Sequence, residues 1–487
     1  MKIVVIGAGV AGLAAAVRLA ALGHTLTVLE SHDAAGGKCG RVEIGGHRFD
    51  SGPSLLTMPW VFGELFAATG APLAEEVELM RVEPGTSYRF SDGSRVALGA
   101  DLPPVLAELE RLSPGAGDDW VRFLGTAAGM WSVSQSFLNG APPWPPRRPR
   151  AGERRPDPRD LVRVRPWLTL RGLARAHFRD PRLRLVVERF ATYAGADPRR
   201  APAALALAGY VEHAFGAWHV RGGIYALVEA LVHRLEALGG ELRLATAVRA
   251  VHVVGGRVES VATDSECLAC DALVSSADAQ RLHSDLLTGT PPPRRHARER
   301  SLSGFALMLG LRGRTAGLAH HNILFPADYD AEFDDIFVHR RPVRDPTLYV
   351  AVPSVSDPGD APEGDESWFV LANAPTHGEG LDWDAHAEEY ESNLLDRLAA
   401  RGLDVRGRVA VSARRTPADL ERETSAPGGS IYGAAPHGRL DTLARPPNRS
   451  RAARGLYLVG GTTHPGGGLP LVALSSKIVA AEIGPAR

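Results

Sequence analysis

The sequence predicts an α/β protein built around a dinucleotide-binding unit, and two observations at opposite ends of the chain support this fold class. At the N-terminus, an apolar strand over residues 2–6 runs into a glycine-rich turn, an apolar helical segment and a second strand over residues 25–29. At the C-terminus, the apolar run 456–459 is followed by another glycine-rich turn and an apolar helix ending near Ile483. A strand, turn and helix in this order place free backbone amides at a helix start, where they can bind an anion.

Each glycine of the first turn has its own steric purpose. Gly7 permits the tight turn, Gly9 lets the backbone approach a pyrophosphate, and Gly12 permits close packing of helix against strand. Glu30 ends the second strand, where its carboxylate can accept hydrogen bonds from ribose hydroxyls. Because strand, glycine spacing, helix and acid occur together, we predict dinucleotide binding here.

The residues after Glu30 indicate which dinucleotide binds. A nicotinamide enzyme would usually continue into another helix and strand, whereas this chain continues into Gly36-Gly37-Lys38 and a second glycine-containing stretch over residues 45–54. Paired glycines shortly after the acid keep the backbone near the cofactor, which is typical of enzymes whose FAD runs along the first glycine loop. An ordinary turn is the alternative explanation for Gly36-Gly37. We predict FAD.

With these motifs, the sequence resembles the FAD-dependent carotenoid desaturases, the phytoene-desaturase-like branch of the flavin amine oxidase superfamily. The resemblance covers most of the chain and rests on these segments: Gly36–Lys38, Phe49–Ser54, Thr57–Phe62, Glu64–Phe66, His219–Leu227, Val274–Asp278, His320–Asn322, Asp328–Tyr329, Glu332–Phe337 and Gly460–Pro470. Thr57–Phe62 and Gly460–Leu471 look most like the 3,4-desaturases of hydroxylated or methoxylated acyclic carotenoids. The sequence differs from the family's usual pattern at two positions. Ser276 stands where many relatives carry Asn, and Gly461 stands where more distant flavoproteins carry an acid that contacts the ribityl chain.

The resemblance implies a Rossmann-like FAD-binding domain interleaved with a mixed α+β substrate domain and a helical, membrane-facing cap. We expect the FAD-binding domain to consist of three parts, residues 1–70, 215–285 and 452–487. The substrate domain is expected in two parts, residues 71–95 and 286–451. The cap is expected to be one segment, residues 96–214.

Hydrophobic runs and turn residues predict the elements in between. A loop with eight prolines between residues 141 and 166 interrupts the cap. In chain order, the predicted elements are strands at 77–79 and 87–90, helices at 102–112, 120–131, 183–193, 203–215 and 224–238, and strands at 241–244, 250–254, 257–262 and 273–276.

The motifs and the resemblance together define a predicted site. The expected cofactor-binding residues are Gly7, Gly9, Gly12, Glu30, Gly36, Gly37, Lys38, Pro53, Ser54, Val248, Gly460, Gly461, Thr462, Gly468, Leu469 and Pro470. His464 and Thr463 are the candidate catalytic residues, because they lie in the turn expected near the flavin. His464 could accept a proton or stabilise charge, or be a structural residue before Pro465. The hydroxyls of Thr462 and Thr463 could bind cofactor oxygens or close the turn.

Desaturation requires no strong catalytic base. Two hydrogens leave adjacent carbons, one as hydride to the flavin and one as a proton, and a neighbouring conjugated chain stabilises the developing allylic cation. What the protein must supply is a dry, apolar tunnel that holds the right carbons over the flavin. This need explains why no Ser-His-Asp or paired-carboxylate motif stands out in the sequence.

Composition excludes several other classes of function. A net charge of −1 gives no global field that would attract nucleic acid. We expect no secretion signal, because a strand begins at Lys2, and no apolar run is long enough to span a bilayer. Three cysteines suit a reducing cytosol. The Cys267–Cys270 pair lacks the further ligands of a zinc site, so we predict no metal.

The scarcity of lysine bears on one alternative, amine oxidation. Flavin amine oxidases commonly place a lysine near the flavin ring, yet no lysine lies between Lys38 and Lys477. Phytoene or diapophytoene desaturation and carotene isomerisation remain open on the same scaffold. A non-enzymatic escort for prenylated proteins is a further alternative, although it predicts a degraded cofactor site.

A basic segment predicts contact with lipid. Residues 147–200 contain sixteen arginines against six acidic residues, with apolar residues such as Trp167 and Phe178 interleaved. Such a surface suits an anionic lipid interface, although arginines paired with acids elsewhere are the alternative. The expected partners are a long polyene carotenoid, membrane lipid, and oxygen or a quinone as electron acceptor. We expect the protein in the cytoplasm, peripherally bound to the inner face of the cell membrane.

Overall fold

The computed structural model describes residues 1–140, 162–287, 299–378, 380–438, 441–443 and 445–486. Most of the proline-rich loop predicted over residues 141–166 therefore lies outside the described residues. The strands, numbered in chain order, are β1 (Lys2–Ile6), β2 (Thr25–Leu29), β3 (Arg41–Ile44), β4 (His47–Asp50), β5 (Leu79–Val82), β6 (Thr86–Arg89), β7 (Arg95–Leu98), β8 (Ala217–Val220), β9 (Glu241–Arg243), β10 (Val248–Val254), β11 (Arg257–Thr263), β12 (Cys267–Ala269), β13 (Ala272–Ser275), β14 (Ser303–Leu311), β15 (His321–Leu324), β16 (Leu348–Ala351), β17 (Glu366–Ala374), β18 (Val409–Arg415) and β19 (Leu456–Leu458).

The helices differ widely in length. They are α1 (Val10–Ala21), α2 (Trp60–Ala68), α3 (Leu73–Glu76), α4 (Leu102–Leu112), α5 (Ala116–Asn139), α6 (Leu170–His177), α7 (Pro181–Glu188), α8 (Leu207–Phe215), α9 (Tyr225–Ala237), α10 (Ala279–Arg281), α11 (Tyr329–Asp334), α12 (Trp383–Ala400), α13 (Pro417–Thr424) and α14 (Leu469–Ile483).

A five-stranded parallel sheet forms the centre of the nucleotide-binding unit, with the strand order β19-β13-β1-β2-β9. Side chains alternate between its faces, so that Ile3 and Val5 pack against α1, α9 and α14, while Val4 and Ile6 pack toward the antiparallel sheet β10-β11-β12. Burial on both faces explains why the strands are almost continuously apolar. The predicted strands β1 and β2 are confirmed at their predicted bounds.

The second large sheet is mixed and has seven strands in the order β18-β14-β17-β16-β15-β6-β7. One face packs on α12 through Phe305, Trp368 and Trp383. Ile323, at its other end, belongs to the hydrophobic core of the helices between α4 and α8. The α/β class is therefore confirmed, with two sheets of different construction in one chain.

The helices of residues 102–215 are confirmed in kind, although several of their bounds differ from the predictions. Helix α5 is twice the predicted length because it is apolar along one face from Ala116 onward. The helix predicted over 183–193 begins at Pro181, where Asp180 accepts a hydrogen bond from the backbone of Arg182, and its α-helical part ends at Glu188. Asp-Pro at a helix start is a familiar combination that the hydrophobic pattern alone does not reveal.

Among the helices of the described residues, none combines the length and the apolar character that crossing a bilayer requires.

Candidate functional site

The first glycine turn has the geometry predicted for it. Gly7 has a φ of +90°, and a Cβ added there would lie 2.5 Å from Ser276 Oγ. A Cβ on Gly12 would overlap the carbonyl oxygen of Gly7, because α1 leaves the sheet in close contact with the turn. Ser276 fixes the turn further, since its hydroxyl donates to Ile6 O (2.9 Å) and Gly7 O (3.1 Å).

Gly9, at the start of α1, differs from its neighbours because the space above it is open. A Cβ added to Gly9 would have only the carbonyl oxygen of Gly36 near it, at 3.8 Å. Gly9 and Gly36 also form a β-bridge, and Gly36 N donates to Ala8 O at 2.9 Å. The paired glycines Gly36 and Gly37 thus lie against the first turn, as the FAD interpretation requires, and are not an isolated turn.

Glu30 lies at the carboxyl end of β2, beside the same turn, and is 7% exposed. Its Oε2 accepts from Ala8 N at 2.7 Å, and its Oε1 accepts from His32 N at 3.1 Å. These bonds hold the carboxylate in place and leave lone pairs for further donors, since a carboxylate has about four acceptor positions. The backbone of Glu30 also pairs with Arg243 and Thr246, just before Val248, which begins β10 and is half-buried.

Removal of this carboxylate should weaken cofactor retention. We expect Glu30→Ala to raise the dissociation constant for FAD about ten- to a hundredfold, which corresponds to about 1–3 kcal/mol for a charged acceptor. Flavin titration followed by fluorescence measures the constant. Asp33→Ala, an exposed acid three residues further on, is the matched control and should bind FAD like the parent chain. Equal affinities in the two variants would contradict the placement of the ribose at Glu30.

Lys38 is half-buried, and the protein holds its ammonium. Nζ donates to Ser430 O (3.1 Å) and Ile431 O (2.5 Å), and burial lowers its pKa to about 8. These two carbonyls belong to the segment after α13, so the lysine ties the first nucleotide-binding segment to the C-terminal third of the chain.

The C-terminal glycine turn lies against the first one. A Cβ on Gly460 would come within 3.6 Å of Ala11 Cβ in the first turn of α1 and of Ser276 O. Thr463 Oγ1 donates to Gly460 O at 3.0 Å, and Thr462 Oγ1 accepts from Ala279 N at 3.1 Å. The Thr463 hydroxyl therefore closes the turn and that of Thr462 ties it to the start of α10, while Gly461 O accepts from the guanidinium of Arg445 at 2.8 Å.

Helix α14 begins directly after this turn. Gly468 is its N-cap, with a φ of +106°, and a Cβ added there would meet no atom within 4 Å. Leu469 and Pro470 form the first turn of α14, and proline fits there because its missing N–H would have no intrahelical acceptor. The chain thus brings two helix starts with glycine caps, those of α1 and α14, to one region.

His464 is buried, and its Nε2 lies 3.0 Å from Phe137 O and 2.9 Å from Gly140 O, at the C-terminal end of α5. Burial lowers its pKa to about 4, so the ring is neutral at pH 7 and donates from Nε2. The ring also meets Phe137 edge-on at 4.5 Å between centroids. These contacts give His464 a positioning role, and its predicted catalytic role stays a prediction. Its partners lie more than 300 residues away, so the sequence offered no means of finding them.

Sequence analysis also missed the role of Asp50. Its two carboxylate oxygens accept from Ile224 N (2.8 Å) and Tyr225 N (3.2 Å) at the start of α9, and burial raises its pKa to about 7. Beyond Pro53, which is half-buried, Ser54 Oγ lies 2.5 Å from the hydroxyl of Tyr349. The segment Phe49–Ser54 therefore joins the nucleotide-binding unit to the seven-stranded sheet.

The whole arrangement matches a known family of proteins. The family model described as "Flavin containing amine oxidoreductase" matches residues 10–484. The chain belongs to this family.

Its relatives in the flavin-containing amine oxidoreductase family share the full length of the chain. It is 33% identical to a zeta-carotene-forming phytoene desaturase of Myxococcus xanthus, covering 98% of this chain and 93% of the relative. It is 35% identical to a hydroxyneurosporene desaturase of Rubrivivax gelatinosus, covering 98% and 92%. It is 30% identical to a 1-hydroxycarotenoid 3,4-desaturase of Flavobacterium sp. (strain P99-3), covering 98% of each.

Solved structures confirm the fold of this family member. An oxidoreductase of Methanosarcina mazei superposes with a TM-score of 0.65 at 17% identity, covering 99% of this chain and 100% of the other. Membership of the family confirms the predicted enzyme class, a flavin-dependent oxidoreductase, and the predicted cofactor, FAD.

The residues of this flavoenzyme fit FAD. Gly9 and Gly468 leave open space at two helix starts, whose first-turn amides can receive a pyrophosphate. The carboxylate of Glu30, held beside Gly9, can accept from ribose hydroxyls. Which of the predicted residues touch the cofactor stays a prediction.

A cleft of about 280 Å³ opens beside the C-terminal turn of the flavoenzyme. Helices α2, α5, α8 and α14 form most of its walls, and three of the ten lining side chains are polar: Gln135, Asn139 and Glu64, which is ion-paired with Lys477. The apolar lining residues are Met58, Trp60, Val61, Trp131, Leu138, Phe215 and Leu474. The cleft can therefore accept an apolar ligand close to the turn that carries His464.

Proposed function

We propose that this flavoenzyme is a desaturase that introduces a carbon–carbon double bond into an acyclic carotenoid. The cleft carries the proposal, because seven of its ten lining side chains are apolar and one of them, Leu474, belongs to the helix that follows the C-terminal turn. Trp60, at its edge, is 43% exposed, so that an aromatic surface borders the opening. The names of the full-length relatives support the same substrate class.

The more specific proposal is 3,4-desaturation of a hydroxylated acyclic carotenoid. It is supported by the resemblance of Thr57–Phe62 and Gly460–Leu471 to that group and by two relatives whose names include a hydroxylated carotenoid. A phytoene-desaturating relative matches equally well over the chain, so phytoene or diapophytoene desaturation is the second candidate.

In this mechanism the chain positions its substrate and excludes water. When bound, the flavin supplies the hydride acceptor. The apolar cleft residues on α2, α5 and α14 hold the polyene by apolar contact, which supplies alignment. His464 orders the end of α5 through Phe137 O and Gly140 O, and therefore shapes one wall of the cleft.

Amine oxidation is the alternative from another reaction class, and the surroundings of Lys38 oppose it. The ammonium is buried and bonded to two backbone carbonyls. The chain provides no lysine between Lys38 and Lys477 for the position used by amine oxidases. Isomerisation of a carotene would use the same cleft without a net loss of hydrogen.

Pigment analysis in a carotenoid-producing host distinguishes these reactions. We expect that expression of the chain in hosts supplying phytoene, neurosporene or a 1-hydroxylated acyclic carotenoid will shift absorption to the red in the hydroxylated background. A longer conjugated system absorbs at longer wavelength, and mass spectrometry should show a loss of two hydrogens. An unchanged mass with a shifted spectrum would indicate isomerisation, and unchanged pigment in every host would refute desaturation. The Gly9→Val variant is the control without flavin.

We also propose that the protein contacts lipid peripherally, through exposed apolar side chains more than through the basic surface that the sequence predicts. At least six of the ten described arginines between residues 163 and 200 are paired with acids: Arg171 with Glu188 and Asp330, Arg179 with Asp119, Arg182 with Asp180, Arg189 with Glu212, Arg199 with Asp197 and Asp334, and Arg200 with Glu299. Arg189 is buried against Tyr88 and Tyr193. Exposed apolar residues, Val162 and Trp167, therefore support lipid contact more than the described charge does.

Vesicle flotation tests the lipid contact. We expect the chain to float with anionic vesicles at low salt, and the double variant Val162→Ser with Trp167→Ser to remain largely in the aqueous fraction. The control carries Val254→Ser and Val355→Ser, which are equally exposed elsewhere on the surface. If the parent chain stays in the aqueous fraction, or if both double variants behave alike, this surface does not bind lipid. Oxygen or a quinone dissolved in the bilayer is the proposed electron acceptor.

A further inference from the structure

A buried group of one histidine and two carboxylates lies outside the flavin site. His219 is on β8, while Asp357 and Asp360 belong to the short turns after β16. His219 Nε2 lies 3.7 Å from Asp357 Oδ2 and 3.6 Å from Asp360 Oδ2. The three residues are 1%, 3% and 2% exposed, respectively, so no bulk water screens the group.

The imidazole nitrogen that points into this group has no partner. Distances of 3.6–3.7 Å exceed those of a hydrogen bond, and within the ranges that the structure describes no other group bonds to His219 Nε2. A buried polar atom left in this way costs about 1–3 kcal/mol, so such atoms are rare unless something else binds them. The gap between the nitrogen and the two oxygens has the width that an ion would fill.

The charges around the group leave a negative balance. Arg48 is the main counter-charge, with its Nε 2.8 Å from Asp360 Oδ1. Arg221 binds chiefly Glu78, at 2.6 Å, and lies 3.8 Å from Asp357 Oδ1. Two buried carboxylates therefore share one close guanidinium, and each keeps one oxygen directed toward His219.

We propose that His219 Nε2, Asp357 Oδ2 and Asp360 Oδ2 bind a divalent transition-metal ion, and that Zn²⁺ is the ion best suited to them. One imidazole and two carboxylates form a donor set that zinc accepts, at about 2.0–2.2 Å from each ligand atom. The ligand atoms lie within 4.8 Å of one another. Zinc would draw them to about 3.4 Å apart, a change that side-chain rotation can supply. A fourth ligand would complete the tetrahedron.

The position of the ion suggests a structural role that is separate from desaturation. The ligands join β8 to the turns over residues 353–360, and Asp357 Oδ2 also accepts from Gly222 N at 2.9 Å. The next residues lead into α9, whose start is capped by Asp50. The ion would therefore clamp the strand and turn before α9 to the mixed sheet.

Metal analysis of the full-length, FAD-loaded protein tests this proposal. Bound metal is first removed from the protein with a chelator. The protein is then incubated with Zn²⁺ alone and desalted, and its zinc content is measured by elemental mass spectrometry. We expect about one zinc per chain in the parent protein and at least a tenfold loss of affinity in His219→Gln. His24→Gln, at a buried histidine bonded to Gly484 O, is the matched control and should keep the zinc. A parent chain without stoichiometric zinc, or equal binding by His219→Gln, would overturn the proposal.

X-ray absorption at the zinc edge gives an independent answer from the parent protein, should His219→Gln fail to fold. We expect a first shell of nitrogen and oxygen at about 2.0–2.1 Å. A sulfur shell near 2.3 Å would place the ion on a cysteine such as exposed Cys267, and would overturn the assignment to His219.

Discussion

Gly9→Val is expected to abolish FAD binding while the chain still folds. The added side chain would enter the space above the first turn of α1, where the pyrophosphate must approach the backbone. Its Cβ would have no atom of a residue other than its chain neighbours closer than 3.8 Å, so the protein leaves room for the start of the side chain. Gly9 also has a φ of −68° and a ψ of 167°, which valine adopts without strain.

The expected loss is at least a thousandfold in affinity, or about 4 kcal/mol. Flavin absorbance of the purified variant measures the bound cofactor, and circular dichroism shows whether the fold persists. Gly125→Val is the matched control, because a Cβ at Gly125 within α5 meets no atom within 4 Å. It should retain FAD. A Gly9→Val protein that purifies yellow would contradict the location of the pyrophosphate.

His464 should make the folded chain less stable as the pH falls from about 6.5 to about 4. Its pKa is about 4 in the folded chain because burial opposes the charged ring, against 6.5 for a free histidine. Between these values the unfolded chain binds a proton that the folded chain does not, so the free energy of unfolding decreases. The shift between the two pKa values corresponds to a total decrease of about 3 kcal/mol in the free energy of unfolding. Above pH 7 the histidine causes no such decrease.

Urea unfolding at pH 7.0 and 4.5, with FAD in excess, measures this contribution. His464→Gln keeps a side-chain N–H donor near Phe137 O and Gly140 O but cannot take up the proton. We expect the stability advantage of the parent chain over this variant to shrink by about 2–3 kcal/mol at the lower pH. His32→Gln, at an exposed site, should follow the parent chain at both values. Parallel pH curves for the parent chain and His464→Gln would show that the ring is not the titrating group.

Local sequence patterns predicted the parts of the site that local chemistry determines. The first glycine turn, strands β1 and β2, and helix α4 have their predicted positions, because period, turn residues and apolar runs act over fewer than about fifteen residues. The closeness of the two glycine turns also followed from the sequence, since parallel strands carry their C-terminal turns to one edge of a sheet.

Contacts between residues that are far apart in the sequence could not be predicted from local patterns, and the reason is physical. The Asp50 cap of α9 and the bonds of His464 to the end of α5 join segments 174 and more than 320 residues apart. The arginines after residue 162 looked like an open basic surface because their acidic partners, such as Asp119, Asp330 and Asp334, lie far off in sequence. Hydrophobic periodicity carries no information about such pairs.

The strand order β19-β13-β1-β2-β9 also has a consequence for biosynthesis. The first strand leaves the ribosome early, yet β19 begins at Leu456, which is 450 residues after β1 ends at Ile6. Until then, the nascent polypeptide presents β13 as an unprotected edge, to which foreign strands can add. Vitamin-derived cofactor capture is thereby deferred until β19 and α14 have been made, and we expect a product truncated before β19 to be colourless and prone to aggregate.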